Sequence, residues 1–368
     1  MKKITVIGIG KLGLCFALTL ERAGYNVMGV DVNKDYVASI NDKTFVSSEP
    51  GVNEALAKAN TYEATTDLKK ALNHSSVLYV VLPTPSLATG HYDHSYIDSL
   101  VYEIRKYGRQ EDRKELIICS TVMPEYCDTL HEKMSGYNYI VSYNPEFIAQ
   151  GTILRDQANP DMVLIGEGDK QAGDIIQEHY VVMTNNHPRV CRMSRVEAEI
   201  TKLSLNCFLT TKIAYANMIG DIATKSGADP DIVLGAIGSD TRIGNKYLRY
   251  GYGYGGPCFP RDNRALALYA GDKGIDAVIS RASDKSNNMH LLNQVKFFLD
   301  TNPEPTTITI DVVTYKPEST MIVESQQLAY AATIANCGHK VIIRERPSVI
   351  EQVKIKYGDL FEYQERES

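Results

Sequence analysis

The chain has 368 residues, 43% hydrophobic and 23% charged, with a formal net charge of -6 and a pI near 5.8. That describes an ordinary globular chain of two or three domains and excludes the basic footprint of a nucleic-acid binder, since no dense Lys/Arg block occurs. Seven scattered cysteines, with no Cys-x-x-Cys pair and no His cluster at ligand spacing, predict reduced thiols in a cytoplasmic protein and no metal site.

The opening MKKITVIGIG could begin a signal peptide, but Lys11 interrupts the apolar run and no small-residue cleavage site follows. No later segment approaches a membrane span. Residues 4–9, ITVIGI, predict a buried parallel strand, and residues 11–23 then show helical spacing. Between them lie Gly8, Gly10 and Gly13 in the pattern G-x-G-x-x-G. A second apolar run, residues 26–30, ends on Asp31, about 20 residues after the glycines. Strand, glycine turn, helix and acid together form a dinucleotide fingerprint: glycines for the turn and the pyrophosphate, the helix N-terminus for phosphate charge, Asp31 for a ribose hydroxyl. Asp31 favours NAD over NADP, because its carboxylate repels a 2′-phosphate.

Further strands are predicted at 77–82, 116–119, 139–142 and 162–165, in βα alternation. The loops that follow the first three carry PTPS at 83–86, STVMPE at 120–125 and NPEF at 144–147, where an open α/β sheet places its ligands. Proline in each of these loops is equally explained as turn chemistry. After about residue 195 the alternation stops, and residues 197–223 read as one long helix, with Ile200, Leu203, Cys207, Ala214, Met218 and Ile222 as its buried stripe. Such length suits a spine shared between subunits. Lys202 and Asn206, four apart, share one face of it. A cation and an amide so placed can bind an oxyanion; alternatively, Lys202 pairs with Glu199 on a solvated face.

GYGYGGPCFPRD, residues 251–262, surrounds one thiol with bare backbone. Pro260 suits the first turn of a helix, which places Cys258 at or just before a helix N-terminus, where the dipole favours thiolate. Asp262 falls in the first turn, close to the sulfur. Glycines let backbone amides line a pocket, and Tyr252 and Tyr254 can stack on a flat or sugar-like ligand. A thiol beside a nicotinamide site suggests carbonyl oxidation through a thiohemiacetal and a thioester; otherwise Cys258 is a small hydrophobe in a turn. A helical region over 264–298 follows, then a linker, TNPEPTT at 301–307, and a short unit with strands at 308–313 and 340–344 and a helix near 324–336.

These motifs resemble, in order, the UDP-glucose/GDP-mannose dehydrogenase family: GIGKLG with Asp31, PTP at 83–85, STVMP at 120–124, NPEF at 144–147, AEITKLSLNCF at 198–208, TRIG at 241–244, and the cysteine motif. The resemblance covers about residues 1–300. It implies an α/β chain with a Rossmann-like doubly wound parallel sheet in an NAD-binding domain (1–194), a central long-helix dimerisation domain with the cysteine motif (195–300), and a shortened C-terminal α/β nucleotide-binding unit (301–368). The activity it implies is oxidation of the C6 alcohol of a nucleotide sugar by two NAD, UDP-glucose first and GDP-mannose second. A catalytically silent protein that binds NAD or a sugar nucleotide is the alternative of another class.

Carried over by the resemblance, Cys258 is the nucleophile, Asp262 with Thr121 and a held water moves the alcohol proton, Lys202 and Asn206 stabilise the oxyanion, and Glu146 assists thioester hydrolysis. Gly8, Gly10, Lys11, Leu12, Gly13, Asp31, Thr84, Pro85, Ser120, Thr121 and Arg261 fall to the cofactor. The substrate falls to Glu146, Phe147, Ile148, Lys202, Asn206, Tyr250, Tyr252, Gly253, Tyr254, Gly255 and Lys316, and Arg242 reaches the sugar site of a neighbouring subunit in a homodimer. Arg261 replaces the family's lysine. Three further departures stand out: Gln150 where a glutamate is usual, Val323 in place of an arginine, and a C-terminal unit of about 68 residues where the family has a longer domain.

Overall fold

Each of the six apolar runs read before residue 195 becomes a strand, because helices cover both faces of the sheet those runs build. The computed structural model describes residues 2–148 and 150–366, and the chain divides after Lys202 into two units. In the first unit the elements are β1 (Lys3–Ile7), α1 (Lys11–Arg22), β2 (Asn26–Val30), α2 (Lys34–Asn41), α3 (Val52–Lys58), β3 (Tyr62–Thr65), α4 (Leu68–His74), β4 (Val77–Val80), α5 (Ser95–Arg105), β5 (Lys114–Ile118), α6 (Tyr126–Ser135), β6 (Tyr139–Tyr143), α7 (Ile153–Ala158), β7 (Met162–Gly166), α8 (Lys170–Met183) and β8 (Arg189–Met193).

Among the described residues these strands form one eight-stranded sheet in the order β3-β2-β1-β4-β5-β6-β7-β8. The direction of winding reverses between β1 and β4, so the loops after them open a crevice at the carboxyl edge of the sheet. The doubly wound parallel sheet expected is present: pairing is parallel from β3 to β6 and between β7 and β8, while β7 meets β6 antiparallel at one pair, Tyr143 and Gly166. Two of these eight strands escaped the sequence reading. YEAT in β3 is short, and RVCRM in β8 is broken by two arginines, so neither presents a continuous apolar run.

Alternation along β1 divides the core. Ile4 and Val6 pack with Leu14 and Leu18 of α1 on one face, while Ile7 packs with Val80, Ile97 and Leu116 on the other. Each such side chain contributes roughly 1.5–3 kcal/mol by leaving water.

The helix α9 (Arg195–Lys225) runs on into the second unit, which continues with α10 (Pro230–Gly238), α11 (Phe259–Asp272), α12 (Val278–Thr301), β9 (Thr307–Asp311), α13 (Gln326–Asn336), β10 (Lys340–Glu345), α14 (Pro347–Tyr357) and β11 (Glu362–Glu365). The single helical region predicted over 264–298 is two helices. Gly274, at φ +72, closes the first, a left-handed conformation that favours glycine. The stripe predicted on α9 is also corrected: Met218 and Ile222 are 43% and 55% exposed, whereas Leu203, Cys207, Thr210, Ala214, Asn217 and Asp221 are buried. Polar residues occupy half of that inner face, which is why hydrophobicity alone misplaced it.

β9, β10 and β11 form a parallel three-stranded sheet. So small a layer has too little apolar surface to be stable by itself. It completes its core, around Ile310, Leu328, Ile334, Val341 and Val353, with Val295 and partly buried Phe298 of α12. No helix among the described residues is long and apolar enough to cross a membrane.

Candidate active site

The glycine turn shows three different reasons for glycine. Gly8 has φ +90, and a Cβ there would lie 2.4 Å from the Val81 carbonyl oxygen. At Gly13 a Cβ would lie 1.9 Å from the Gly8 carbonyl oxygen, so glycine lets α1 close onto β1. A Cβ on Gly10 meets nothing within 4 Å. This is the open cradle that a pyrophosphate needs, at the N-cap of α1 where amides lack helical partners. Lys11 and Leu12 are both exposed in the first turn. Asp31, directly after β2, accepts from the Asn33 amide at 3.0 Å. These residues fit NAD. Asp31→Asn should therefore raise kcat/KM with NADP relative to NAD by about tenfold or more in parallel assays, through loss of charge repulsion.

The loops after β4 and β5 are laced together. Thr84 Oγ1 donates to the Thr121 carbonyl at 2.7 Å, and Ser120 Oγ exchanges bonds with the Leu82 amide and carbonyl at 3.0 and 2.6 Å. Thr84 and Ser120 are both buried, so their hydroxyls shape the loops; Pro85 accepts from the Asp93 amide at 2.7 Å. Two residues missed by the sequence reading fix the Thr121 loop. His94 stacks on Tyr126 at 3.8 Å and accepts from the Met123 amide at 3.2 Å; burial lowers its pKa to about 4, so it is the neutral acceptor this bond requires. Glu199 of α9, fully buried, accepts from the Glu125 and Cys127 amides at 2.6 and 2.8 Å. The Lys202–Glu199 surface pair is thus excluded. Glu199 holds α6, and Lys202, 7% exposed, turns inward.

Lys202 Nζ donates to the Glu146 carbonyl at 2.5 Å and lies 4.3 Å from the centre of the Phe147 ring. Glu146 itself is the most perturbed carboxyl of the NPEF loop. Its Oε1 is buried without a hydrogen-bond partner among the described residues, and burial, opposed by the Lys202 charge, pushes its pKa up to about 7. A carboxyl poised there can exchange a proton near neutral pH. Ile148 packs against the core of the first unit, and Gln150 precedes a turn whose Gly151 amide is held by Glu49 at 2.9 Å.

In the second unit Cys258 is the N-cap of α11, with Pro260 in the first turn, and its thiol is exposed. The other exposed thiol, Cys337, is the C-cap of α13. Burial raises the pKa of Cys15 and Cys207 to about 12 and also raises that of Cys119 and Cys127 well above the ordinary thiol value. Asp262 is 1% exposed; its Oδ2 accepts from Asn206 Nδ2 at 2.6 Å, and its Oδ1 lies 3.4 Å from Arg261 Nε.

The glycines of this loop serve a purpose other than the one expected. A Cβ on Gly253 would lie 2.3 Å from Asn287 Oδ1, and one on Gly255 2.2 Å from the Glu324 carbonyl oxygen. At Gly256, φ +82, a Cβ would lie 2.5 Å from the Tyr315 ring, and its amide donates to the Val323 carbonyl at 2.9 Å. Gly255 and Gly256 let the segment over 315–324 lie directly on the loop, where Arg264 and Glu324 pair at 2.9 and 2.5 Å, while Gly253 makes room for Asn287 of α12. Val323, at the missing arginine, contributes its backbone here.

Tyr254 is a correction. Its ring is 4% exposed, its hydroxyl donates to Asp284, and its amide and carbonyl are both bonded to Asn287, so it offers no face for stacking. Tyr252, 37% exposed, meets Tyr330 edge to face at 5.9 Å, and Tyr250 donates to Asp221 at 3.1 Å. Lys316 lies in the loop after β9, where its carbonyl accepts from Thr314 Oγ1 at 2.9 Å. Arg242 is exposed and paired with Asp240 at 2.7 and 3.0 Å.

Two family models match the chain: the UDP-glucose/GDP-mannose dehydrogenase family, NAD binding domain, over residues 2–184, and the central domain of the same family over residues 196–289. A UDP-glucose 6-dehydrogenase of Rickettsia bellii is 30% identical over 321 residues, 85% of this chain and 74% of that protein. A GDP-mannose 6-dehydrogenase of Pseudomonas syringae pv. tomato is 30% identical over 305 residues, 79% and 69% of the two chains. Among solved structures, a UDP-glucose dehydrogenase from the hyperthermophilic archaeon Pyrobaculum islandicum matches with a TM-score of 0.89 at 27% identity, covering 100% of this chain and 86% of that one. A GDP-mannose dehydrogenase from Pseudomonas aeruginosa matches with a TM-score of 0.61 at 28% identity, covering 96% and 82%.

Proposed function

The chain belongs to the UDP-glucose/GDP-mannose dehydrogenase family of NAD-dependent nucleotide-sugar 6-dehydrogenases, and from that premise we propose that it oxidises UDP-glucose to UDP-glucuronate through a thioester on Cys258. The observation that carries this reading is the exposed thiol at the N-cap of α11, in a chain whose other exposed thiol caps a helix C-terminus.

NAD, when bound by the residues of the glycine turn and Asp31, supplies the hydride acceptor for each two-electron step. The chain's own groups handle the rest. Asp262, with Thr121 and a water, takes the proton of the C6 hydroxyl as the alcohol becomes an aldehyde. The Cys258 thiolate adds to the aldehyde carbon, and Lys202 and Asn206 stabilise the charge that develops on oxygen. Loss of the second hydride leaves a thioester. Glu146 then takes a proton from water as it attacks the thioester carbonyl, releasing the carboxylate and regenerating the thiolate. Sulfur thus retains the aldehyde between the two oxidations.

We assign residues 1–194 to the cofactor, 195–300 to dimerisation and the thiol, and 301–368 to the nucleotide. An exposed, reduced Cys258 suits a cytoplasmic setting. Phe208, Tyr215, Met218 and Ile222 form an exposed apolar stripe on α9, 66%, 47%, 43% and 55% accessible, which supports a homodimer with Arg242 acting in the partner's sugar site. Ile222→Asp should convert the dimer to monomer in sedimentation velocity. A mass that is monomeric already in the unaltered protein would remove the dimer from this reading.

The substrate is tested by assaying UDP-glucose and GDP-mannose side by side with excess NAD, following NADH and product mass. UDP-glucose turnover at least about tenfold above GDP-mannose is expected. The reverse order would assign the guanosine sugar.

A further inference from the structure

A tyrosine ties the two ends of the cofactor site together. The Val30 carbonyl, at the end of β2, accepts from the amides of Gly8 and Ile9 at 2.8 and 3.3 Å, so β2 holds the donor side of the glycine turn. The acceptor side is held from α2. In the first turn of α1 the Leu14 amide donates to the Gly10 carbonyl at 2.9 Å, which leaves the Ile9 carbonyl one residue outside that ladder. Tyr36 Oη donates to it at 2.7 Å. Ile9 is fully buried, where a carbonyl without a donor costs free energy.

Tyr36 is placed for this bond by residues that begin at Asp31. Asp31 Oδ1 accepts from the Asn33 amide at 3.0 Å, and Asn33, the N-cap of α2, accepts from the Tyr36 amide through its own Oδ1 at 3.0 Å. The Tyr36 ring packs against the core cluster that includes Ile9 and meets Phe45 edge to face at 5.0 Å. Burial, and after it the Asp31 charge, push the phenol up to about 12, so the hydroxyl keeps the proton it donates. The bonds form a closed circuit. It runs from Val30 to the glycine turn, from the Ile9 carbonyl to Tyr36, and through Asn33 back to Asp31, the residue after Val30. Both ends of the dinucleotide site lie on it: the Gly10 cradle for the pyrophosphate and the Asp31 carboxylate for the ribose.

We propose that Tyr36 is a positioning residue for NAD: its hydroxyl locks the Ile9 carbonyl and so holds the Gly10 cradle at a fixed distance from Asp31. A turn held in this way is ordered before the dinucleotide arrives, whereas a freed turn must be ordered by binding. The proposal goes beyond the sugar chemistry and rests on the reading that the glycine turn holds NAD.

The test is the Kd of NADH by fluorescence titration, with kcat and KM for NAD alongside, on the intact protein, Tyr36→Phe, Phe45→Leu and Gly10→Val. Phenylalanine at 36 keeps the ring and removes the hydroxyl. Tyr36→Phe is expected to raise the NADH Kd and the KM for NAD about fivefold, the size of one neutral hydrogen bond. Its kcat at saturating NAD should change less than about twofold. Phe45→Leu removes the neighbouring ring and leaves the hydroxyl; it should lower Tm and keep the NADH Kd within about twofold of the intact protein. An unchanged Kd in Tyr36→Phe, or an equal rise in Phe45→Leu, overturns the proposal, since Tyr36 would then serve packing alone. A fall in kcat with KM for NAD unchanged overturns it as well. Gly10→Val tests the underlying reading, because its side chain enters open space at a backbone φ of -60 and should block the pyrophosphate. NADH binding by Gly10→Val as tight as that of the intact protein would remove the glycine turn as the cofactor site, and the proposal with it. Binding lost in Gly10→Val but unaltered in Tyr36→Phe would overturn the positioning role alone. The Kd comparison needs no sugar, so it stands whichever nucleotide sugar is the substrate.

Discussion

Cys258→Ser is expected to lower NADH formation from UDP-glucose by about 10³-fold or more, with no second NADH per sugar. The reason lies in where the side chain sits. At the N-cap of α11 the first-turn amides have no helical carbonyl partners, so they favour an anion at that point. A thiol near its ordinary pKa needs only modest help to ionise, whereas a hydroxyl ionises so much higher that the same field leaves it neutral. The thiolate also leaves readily when water attacks the thioester, which a serine ester does not match. The measurement is the NADH yield from limiting UDP-glucose with excess NAD, together with the intact mass of the protein. Two NADH per sugar are expected from the intact protein. Iodoacetamide should label Cys258, at a helix N-cap, faster than Cys337, at a helix C-cap, and should spare the buried thiols. Undiminished turnover by Cys258→Ser would sink the thioester route.

The parts legible in the sequence were those where one residue type answers one local requirement. Gly8, Gly13 and the strand before them could be read because a left-handed φ and a close helix–strand approach leave glycine as the residue that fits. The N-cap position of Cys258 could be read from Pro260, which tolerates the missing amide hydrogen bond of a first turn. What stayed hidden was settled by contacts between distant segments. The glycines at 253, 255 and 256 looked like the lining of a ligand pocket, yet each is small because Asn287, Glu324 or Tyr315 lies against it. Tyr254 looked available for stacking until Asp284 and Asn287 claimed its polar groups. Glu199 carries no mark in sequence, since its role is to meet the amides of Glu125 and Cys127, more than 70 residues away. The inner face of α9 eluded a hydrophobicity count because Asn206, Asn217 and Asp221 are buried through specific bonds to Asp262, the glycine loop and His290.

Glu146→Gln is the complementary experiment, because it separates thioester formation from thioester hydrolysis. Its carboxyl lies in a loop where burial outweighs the attraction of Lys202, so it is held protonated up to about pH 7. Only the carboxylate can accept a proton from water. The hydrolytic step is therefore expected to slow as pH falls through about 7 and to level off above it. Glutamine cannot accept that proton at any pH. The variant should complete both oxidations once, releasing a burst of two NADH per active site, and then turn over about 10²-fold or more slowly than the intact protein. Intact mass after the burst should show the uridine-sugar acyl group attached to Cys258, and the acidic limb of the pH profile should disappear. Losing the burst along with the turnover would place Glu146 in the oxidation steps. A normal rate with the acidic limb retained would show that another group activates the water. The pairing of a buried, proton-accepting carboxyl with an ionised thiol gives the two half-reactions opposite needs: the thiol must be charged to capture the aldehyde, and the carboxyl must be charged to release the acid. The carboxyl meets its condition above about pH 7, which is where thioester hydrolysis should run fastest.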